Sequence, residues 1–361
     1  MDQYRFNRRT WTKEFQIIPF PVLFCCFLIC LVTMLSSCGR VQKFHASEKN
    51  MDYELPDIPE EQKLILYTAH KEDVYRPILQ EFEEQTGIYV EVHPGGTTEL
   101  LRSIRAGEAE GEADIMFGGG GEVLEAYKDC FSPYETSRKE ALSPELRSEG
   151  NIWTPFTVLP IVFIYNNKLV SRDMAPKSWQ EFLTDRWKGT LSFADPARSG
   201  TSYTILQTMS IATGKTISEI LPIFCHTLDG KLAGGSGDVM QRVESGDMLV
   251  GITLEETAMK EIVRGNDISM VYPQEGTSAV PDGAAIIKGA PHRANAEKFI
   301  DFMVSEGVQR FAVTNLYRRA VRKDLSTMEK TEGLVILPFD LRKASREEDA
   351  VLEAFRKIWE E

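Results

Sequence analysis

Beyond Cys38 the chain holds only two cysteines, Cys130 and Cys225, and it has five histidines in all. No Cys-x-x-Cys pair occurs, which argues against a zinc or redox-dithiol site. Cationic side chains are also in deficit, 41 Lys and Arg against 54 Asp and Glu, for a formal charge of -13. Nucleic-acid binding wants a basic face, so that class is excluded, and any anion site must be built locally. Catalytic signatures are missing too. Gly118 to Gly121 is followed by Glu122, not lysine, so there is no phosphate loop, and neither His-Glu-x-x-His nor Gly-x-Ser-x-Gly appears. His70 is the best single general base, but a histidine at a strand end is more often a ligand contact or a cap. The chain reads as a non-enzyme without a cofactor. Low-complexity tracts and strict repeats are absent, and the one long apolar run, Phe15 to Leu35, stands near the start.

That run follows Arg5, Arg8, Arg9 and Lys13 and ends at Leu35-Ser36-Ser37-Cys38. Residues 1–37 resemble a bacterial lipoprotein signal, which implies that Cys38 is lipidated after cleavage. The alternative is an uncleaved membrane helix, since the run is nearly long enough to span. Either way the remainder works outside the cytoplasm, tethered to a membrane. Residues 38–61 are polar, acidic and aperiodic, a flexible tether. Oxidising surroundings permit a disulfide, but Cys130 and Cys225 fall in different expected domains, where a bridge would hinder relative motion. Two buried free thiols are expected.

A chain of 361 residues suggests about two domains. The first opens with the apolar strand Lys63 to Thr68, a helical pattern at Val74, Ile78, Leu79 and Phe82 that stops at Gly87, and the strand Ile88 to Val92. A turn, Pro94 to Thr98, leads to a helix through Leu100, Leu101 and Ile104, and a third strand, Ala113 to Phe117, ends in four glycines. Strands and helices alternating at this spacing predict a parallel α/β sheet. Ligands of such sheets lie beyond the carboxyl ends of the strands. The residues placed there are His70, Gly96, Thr97, Thr98, Gly119 and Gly120. Trp153 to Asn166 is long, apolar and β-prone, suited to a strand that leaves one domain for the next.

The second domain repeats the pattern. A strand, Leu191 to Phe193, stops at Asp195-Pro196, small hydroxylated residues follow, and a helix begins near Tyr203. The first turn of a helix leaves amide N–H groups unpartnered and carries partial positive charge, so Ser199, Gly200, Thr201 and Ser202 form a turn able to hold an anion. Arg198 beside them is a candidate anion partner. Gly234 to Gly237, with Ser236, and Glu255 and Glu256 open further helices. Pro273 to Gly283 reads as a turn-rich connection back to the first domain, followed by a strand Ala284 to Ile287 and an amphipathic C-terminal helix near Val351, Phe355, Ile358 and Trp359.

Several short motifs then carry a family resemblance. Leu66-Tyr67-Thr68-Ala69-His70-Lys71-Glu72, Glu81 to Ile88, Ala113-Asp114-Ile115, Trp187-Lys188-Gly189, Asp195 to Gly200, Tyr272 to Thr277 and Pro281-Asp282-Gly283 resemble the bacterial solute-binding proteins of the ferric-ion and related type, over about residues 62–324. The resemblance implies a two-lobed type II clamshell with two hinge crossings: lobe 1 over 62–157, lobe 2 over 158–278, and a return with C-terminal helices over 279–361. It also implies a monomer that takes a ligand in the interlobe cleft and delivers it to ABC permease subunits, or a sensor that reports it to a membrane kinase. The family's ferric binders use two adjacent tyrosines early in a helix of the second lobe, with a histidine and a carboxylate. His70 matches the histidine, but Thr253-Leu254-Glu255-Glu256-Thr257 has no tyrosine. Ferric ion wants several anionic oxygen donors, so the expected ligand is a phosphonate or phosphorylated compound, with Glu255 or Glu256 at its other end and Asp282 in the cleft. Iron remains the alternative, and no metal ligand is assigned.

Overall fold

The computed structural model describes residues 58–109, 111–325 and 331–361. The leader, Cys38 and the tether through residue 57 lie outside them. Ahead of the first strand, Glu60–Gln62 form a 3-10 turn, and Asn295 donates to the carbonyls of Glu61 and Lys63. Then β1 (Lys63–Thr68) buries Leu64, Leu66 and Thr68, every second residue. The next helix, α1 (Glu72–Thr86), buries Val74, Ile78, Leu79 and Phe82 along one stripe and ends at Gly87, whose φ of 69° is the left-handed cap that glycine tolerates. After β2 (Tyr89–Pro94) and α2 (Thr97–Arg105) the chain enters β3 (Ile115–Gly120), and β1 pairs parallel with both β2 and β3.

Two short elements, α3 (Gly121–Ala126) and β4 (Phe131–Ser132), precede β5 (Thr154–Asn166), in which twelve of thirteen residues are buried. A strand covered on both faces needs a continuous apolar run, which is what Trp153 to Tyr165 supplies. Next come β6 (Leu191–Ser192), α4 (Gly200–Thr213), α5 (Ile217–Leu228), α6 (Ser236–Glu244), β7 (Val250–Leu254), α7 (Glu255–Arg264) and β8 (Ile268–Val271). The chain closes with β9 (Ala279–Ile287), α8 (Arg293–Met303), α9 (Glu306–Asn315), β10 (Arg319–Ala320) and α10 (Leu341–Glu360).

The strand order is β2-β1-β3-β9-β5-β7-β6. Over Thr154 to Pro160, β5 pairs with β9, and over Ile161 to Asn166 it pairs with β7 and β8. One strand therefore belongs to the sheets of both lobes, and the chain comes back along β9 beside it. The fold is the two-lobed α/β clamshell.

Three local readings change. Val280 to Gly283, read as turn, is strand: Leu159 pairs with Val280 and Thr157 with Asp282. A bulge in β5 between Pro155 and Thr157 lets the Asp282 carboxylate accept the Thr157 amide at 2.8 Å, so cross-strand pairing overrides the turn tendency of Pro-Asp-Gly. The Ser-x-x-Glu sequence at 178–181 caps a 3-10 turn, Trp179–Leu183, where an α-helix was expected. Finally, α10 packs against α3 of lobe 1 and against α5 and α4 of lobe 2, spanning both lobes instead of completing the first. Cys130 and Cys225 form no disulfide, and burial raises the Cys225 thiol to about 11.

Candidate functional site

A cleft of about 1050 Å³ lies between the lobes. Its lobe 1 wall is made at the ends of β1, β2 and β3. Thr68 Oγ1 donates to the Phe117 carbonyl at 2.9 Å and accepts the His70 amide at 3.1 Å, fixing the turn that carries His70. The glycines after Phe117 are required by geometry. Gly118 and Gly119 have φ of 113° and 93°, and a Cβ on Gly119 would stand 3.0 Å from Thr97 Cγ2. Backbone there approaches α2 and His70 so closely that an added Cβ at Gly119 would force Thr97 to shift by a few tenths of an ångström.

The lobe 2 wall carries the turn from Ala197 to Thr201. Ser199 caps α4, its hydroxyl accepting the Ser202 amide at 3.3 Å. A Cβ on Gly96 would meet the Arg198 carbonyl at 3.6 Å, and one on Gly200 would meet Thr97 Cβ at 3.8 Å. The anion-type turns of the two lobes thus face each other at van der Waals range. Gly235, Ser236 and Gly237, opening α6, line the same cavity, and the Lys71 ammonium reaches to within 3.5 Å of where a Cβ on Gly237 would be.

Most expected contacts meet here: His70, Gly96, Thr97, Gly119, Gly120, Ser199, Gly200, Thr201, Ser236, Glu256 and Asp282 all line the cleft. Thr98, Ser202 and Glu255 do not. Thr98 and Ser202 are buried behind their turns. Glu255 is held bidentately by Arg319, at 2.7 and 2.6 Å, and accepts from Tyr272. Neighbouring residues of a helix point about 100° apart, so Glu255 and Glu256 cannot face one ligand equally.

Three cations absent from the sequence-based site, Lys71, Arg102 and Arg318, are in the wall. Arg318 is buried, following Tyr317 at φ 56°. Its Nη1 donates to Asp282 Oδ2 at 2.6 Å and to Thr157 Oγ1 at 3.2 Å, and its Nη2 lies 3.5 Å from Glu256 Oε1. The only advance signal was a pair of arginines in an acidic chain, and a loop arginine ordinarily reads as solvated. Lys260 binds Glu256 at 3.1 Å and Asp73 of lobe 1 at 2.9 Å. Burial opposes ionisation of Glu256, but Arg318 and Lys260 outweigh it and lower its pKa. Burial, helped by the same two cations, holds His70 well below the usual histidine range, so it is neutral. It packs edge-on against Phe117 at 4.5 Å, with Nε2 3.5 Å from Asp282 Oδ2. His70 Nε2 and Arg318 Nε are buried without a hydrogen-bond partner among the described residues.

Relatives share this architecture. Iron uptake protein A1 of Synechocystis sp. is 25% identical over 304 residues, 80% of this chain and 81% of that protein. A Salmonella typhi protein assigned by name to 2-aminoethylphosphonate binding in the periplasm is 20% identical over 265 residues, 71% of this chain and 76% of its own. Among solved structures, the periplasmic binding protein AfuA of Actinobacillus pleuropneumoniae, with fructose-6-phosphate bound, superposes with a TM-score of 0.76 at 20% identity, covering 82% of this chain and 98% of that one. Residues 124–337 match the family model of the bacterial extracellular solute-binding proteins, transport components that bind and do not catalyse, and the chain belongs to that family.

Proposed function

We propose that the protein captures a small phosphorylated or phosphonate anion in the interlobe cleft and delivers it to the membrane subunits of an ABC importer. One observation carries this reading. The N-termini of α2, α4 and α6, from both lobes, open on one cavity together with Lys71, His70 and Arg318. Helix N-termini and neutral hydroxyls hold an oxyanion without requiring a basic protein. His70, Gly96, Thr97, Gly119, Gly120, Ser199, Gly200, Thr201 and Ser236 then contact the ligand, with Glu256 and Asp282 at its other end. Ferric ion is less well served: Glu255, Glu256 and Asp282 are committed to Arg319, Arg318 and Lys260, which compete for the anionic oxygens such a hard ion needs. Lobe 1 spans 62–157 and lobe 2 spans 158–278, the return over 279–361 rejoins lobe 1 and ends in α10, which packs on both, and closure is about β5 and β9. Residues 1–37 are a leader, and Cys38 carries the lipid that anchors a monomeric receptor outside the cytoplasm.

Thermal unfolding of the purified chain against sugar phosphates, 2-aminoethylphosphonate and ferric citrate tests the ligand class. At about a hundred times its dissociation constant, the right ligand adds about 2.7 kcal/mol of stability. Stabilisation by ferric citrate and none by the phosphorylated compounds would reverse the reading. Mass spectrometry of membrane-extracted protein tests the anchor: a diacylated N-terminus at Cys38 is expected, and a retained leader contradicts it.

A further inference from the structure

Behind the cleft, outside the residues that line it, three pieces of chain meet at one buried carboxyl. Glu122 stands in α3, directly after the Gly119-Gly120 wall, and is fully buried. Thr204, in α4 of lobe 2, donates to its Oε1, while its Oε2 has no partner among the described residues. A Cβ on Gly120 would collide with this carboxylate, so the group sits directly against the cleft wall. The third piece is α10, whose buried Glu348 is near enough to Glu122 to repel it. Tyr203 donates to the Ala344 carbonyl and Gln207 reaches Glu347 at 3.4 Å, fastening α10 to lobe 2, and Arg342 pairs with Glu149 of lobe 1. Among the described residues neither Glu122 nor Glu348 makes an ion pair.

We propose that Glu122 and Glu348 are positioning residues that make closure of the lobes, and through closure affinity for the cleft ligand, dependent on proton uptake. In this structure Thr204 of one lobe bonds Glu122 of the other, and a motion that opens the lobes at this contact parts them and admits water, whichever lobe carries α10. Two buried carboxyls on helices that pack together, neither with a bonded cation among the described residues, resist ionising at once. The facing groups do not remove that conflict. Arg102 and Arg105 of α2 favour the Glu348 carboxylate, Asp349 on α10 opposes it, and Glu125 is bonded to Lys128. Tyr203 and Gln207 of α4 are neutral. Burial raises Glu122 to about 7, against the Thr204 hydrogen bond, and burial with Glu122 repulsion raises Glu348 to about 8. Solvated glutamates titrate near 4.5. Closure therefore binds protons between that value and the raised ones, and rising pH favours opening, by about tenfold per pH unit for each proton involved. None of this depends on which solute the cleft takes.

Hydrogen exchange of the full chain in detergent, corrected for intrinsic rates, reads the equilibrium without ligand. Between pH 6 and 9, protection of 121–126, 200–213 and 341–360 should fall about tenfold or more. In the double variant Glu122→Gln, Glu348→Gln, whose side chains stay neutral, protection should be flat. Thr204→Val, which cuts the interlobe hydrogen bond, should lower it at every pH. Flat protection in the unaltered protein overturns the proposal, as does an unaltered pH slope in the double variant. If the double variant fails to fold, Glu348→Gln alone decides: its slope must be shallower than that of the unaltered chain, and an equal slope also overturns the proposal.

Discussion

At the residue scale, Arg318 is the side chain on which most of the cleft depends. It neutralises Asp282 and Glu256 at once, and losing it leaves two buried carboxylates without a guanidinium. Removing one partner of a buried ion pair costs about 3–5 kcal/mol. Arg318→Gln should therefore lower the unfolding free energy by about that much, read as a lower urea midpoint, and weaken ligand binding, while Arg198→Gln, in a turn at the cleft edge, should leave stability nearly unchanged. Gly119→Ala is a sharper probe of the wall. A side chain at φ 93°, 3.0 Å from Thr97, is strained by about 1–3 kcal/mol, and relief would push the wall away from α2. Isothermal titration should show reduced affinity with the fold retained. Of these residues the glycines were legible in advance, because a glycine run at a strand end has a local conformational cause. Arg318 was not, because its partners lie 36 and 62 positions away.

At the scale of elements, β5 does most to join the molecule. Its apolar length was visible in the sequence, and so was its suitability as a crossing. The bulge at Pro155 to Thr157, which turns Asp282 into a strand residue, was not visible, since it depends on β9 lying alongside. Within the strand, Phe163 packs edge-on against Trp179 and Phe182, both at 4.8 Å. Phe163→Ala should cost about 3–5 kcal/mol by opening a cavity among these rings. Chemical denaturation would register it as a lower midpoint with an unchanged slope. Amphipathic periodicity also announced α10, but that pattern specifies only that one face is buried, and the neighbours prove to belong to both lobes.

At the scale of the whole molecule, pH acts on the protein at separate places with defined signs. Burial disfavours the charged form of His292, yet hydrogen bonds to Glu60 at 3.0 Å and to Asp114 at 2.8 Å win and raise its pKa. The stability this pair of contacts adds is complete below the ordinary histidine value and is lost as pH rises through the raised one. His292→Gln should remove that dependence, so melting temperatures of variant and unaltered chain should converge above neutral pH. This cluster fastens Glu60, just ahead of β1, to lobe 1. Across the cleft, Lys260 joins Asp73 of lobe 1 to lobe 2.

By itself the sequence determined the α/β class, most of the strands and helices that flank the cleft, and the glycine and hydroxyl turns at the strand ends. Each of these follows from periodicity or from the backbone preference of a few adjacent residues, and short-range causes leave short-range marks. Only the tertiary structure decided that Glu256 faces the cleft while Glu255 turns to Arg319, that Lys71 and Arg318 enter the wall, and that the helices carrying Glu122 and Glu348 pack together. Those outcomes are set by which distant segments pack together, and the ionisation of a buried group is governed by neighbours that no local pattern records.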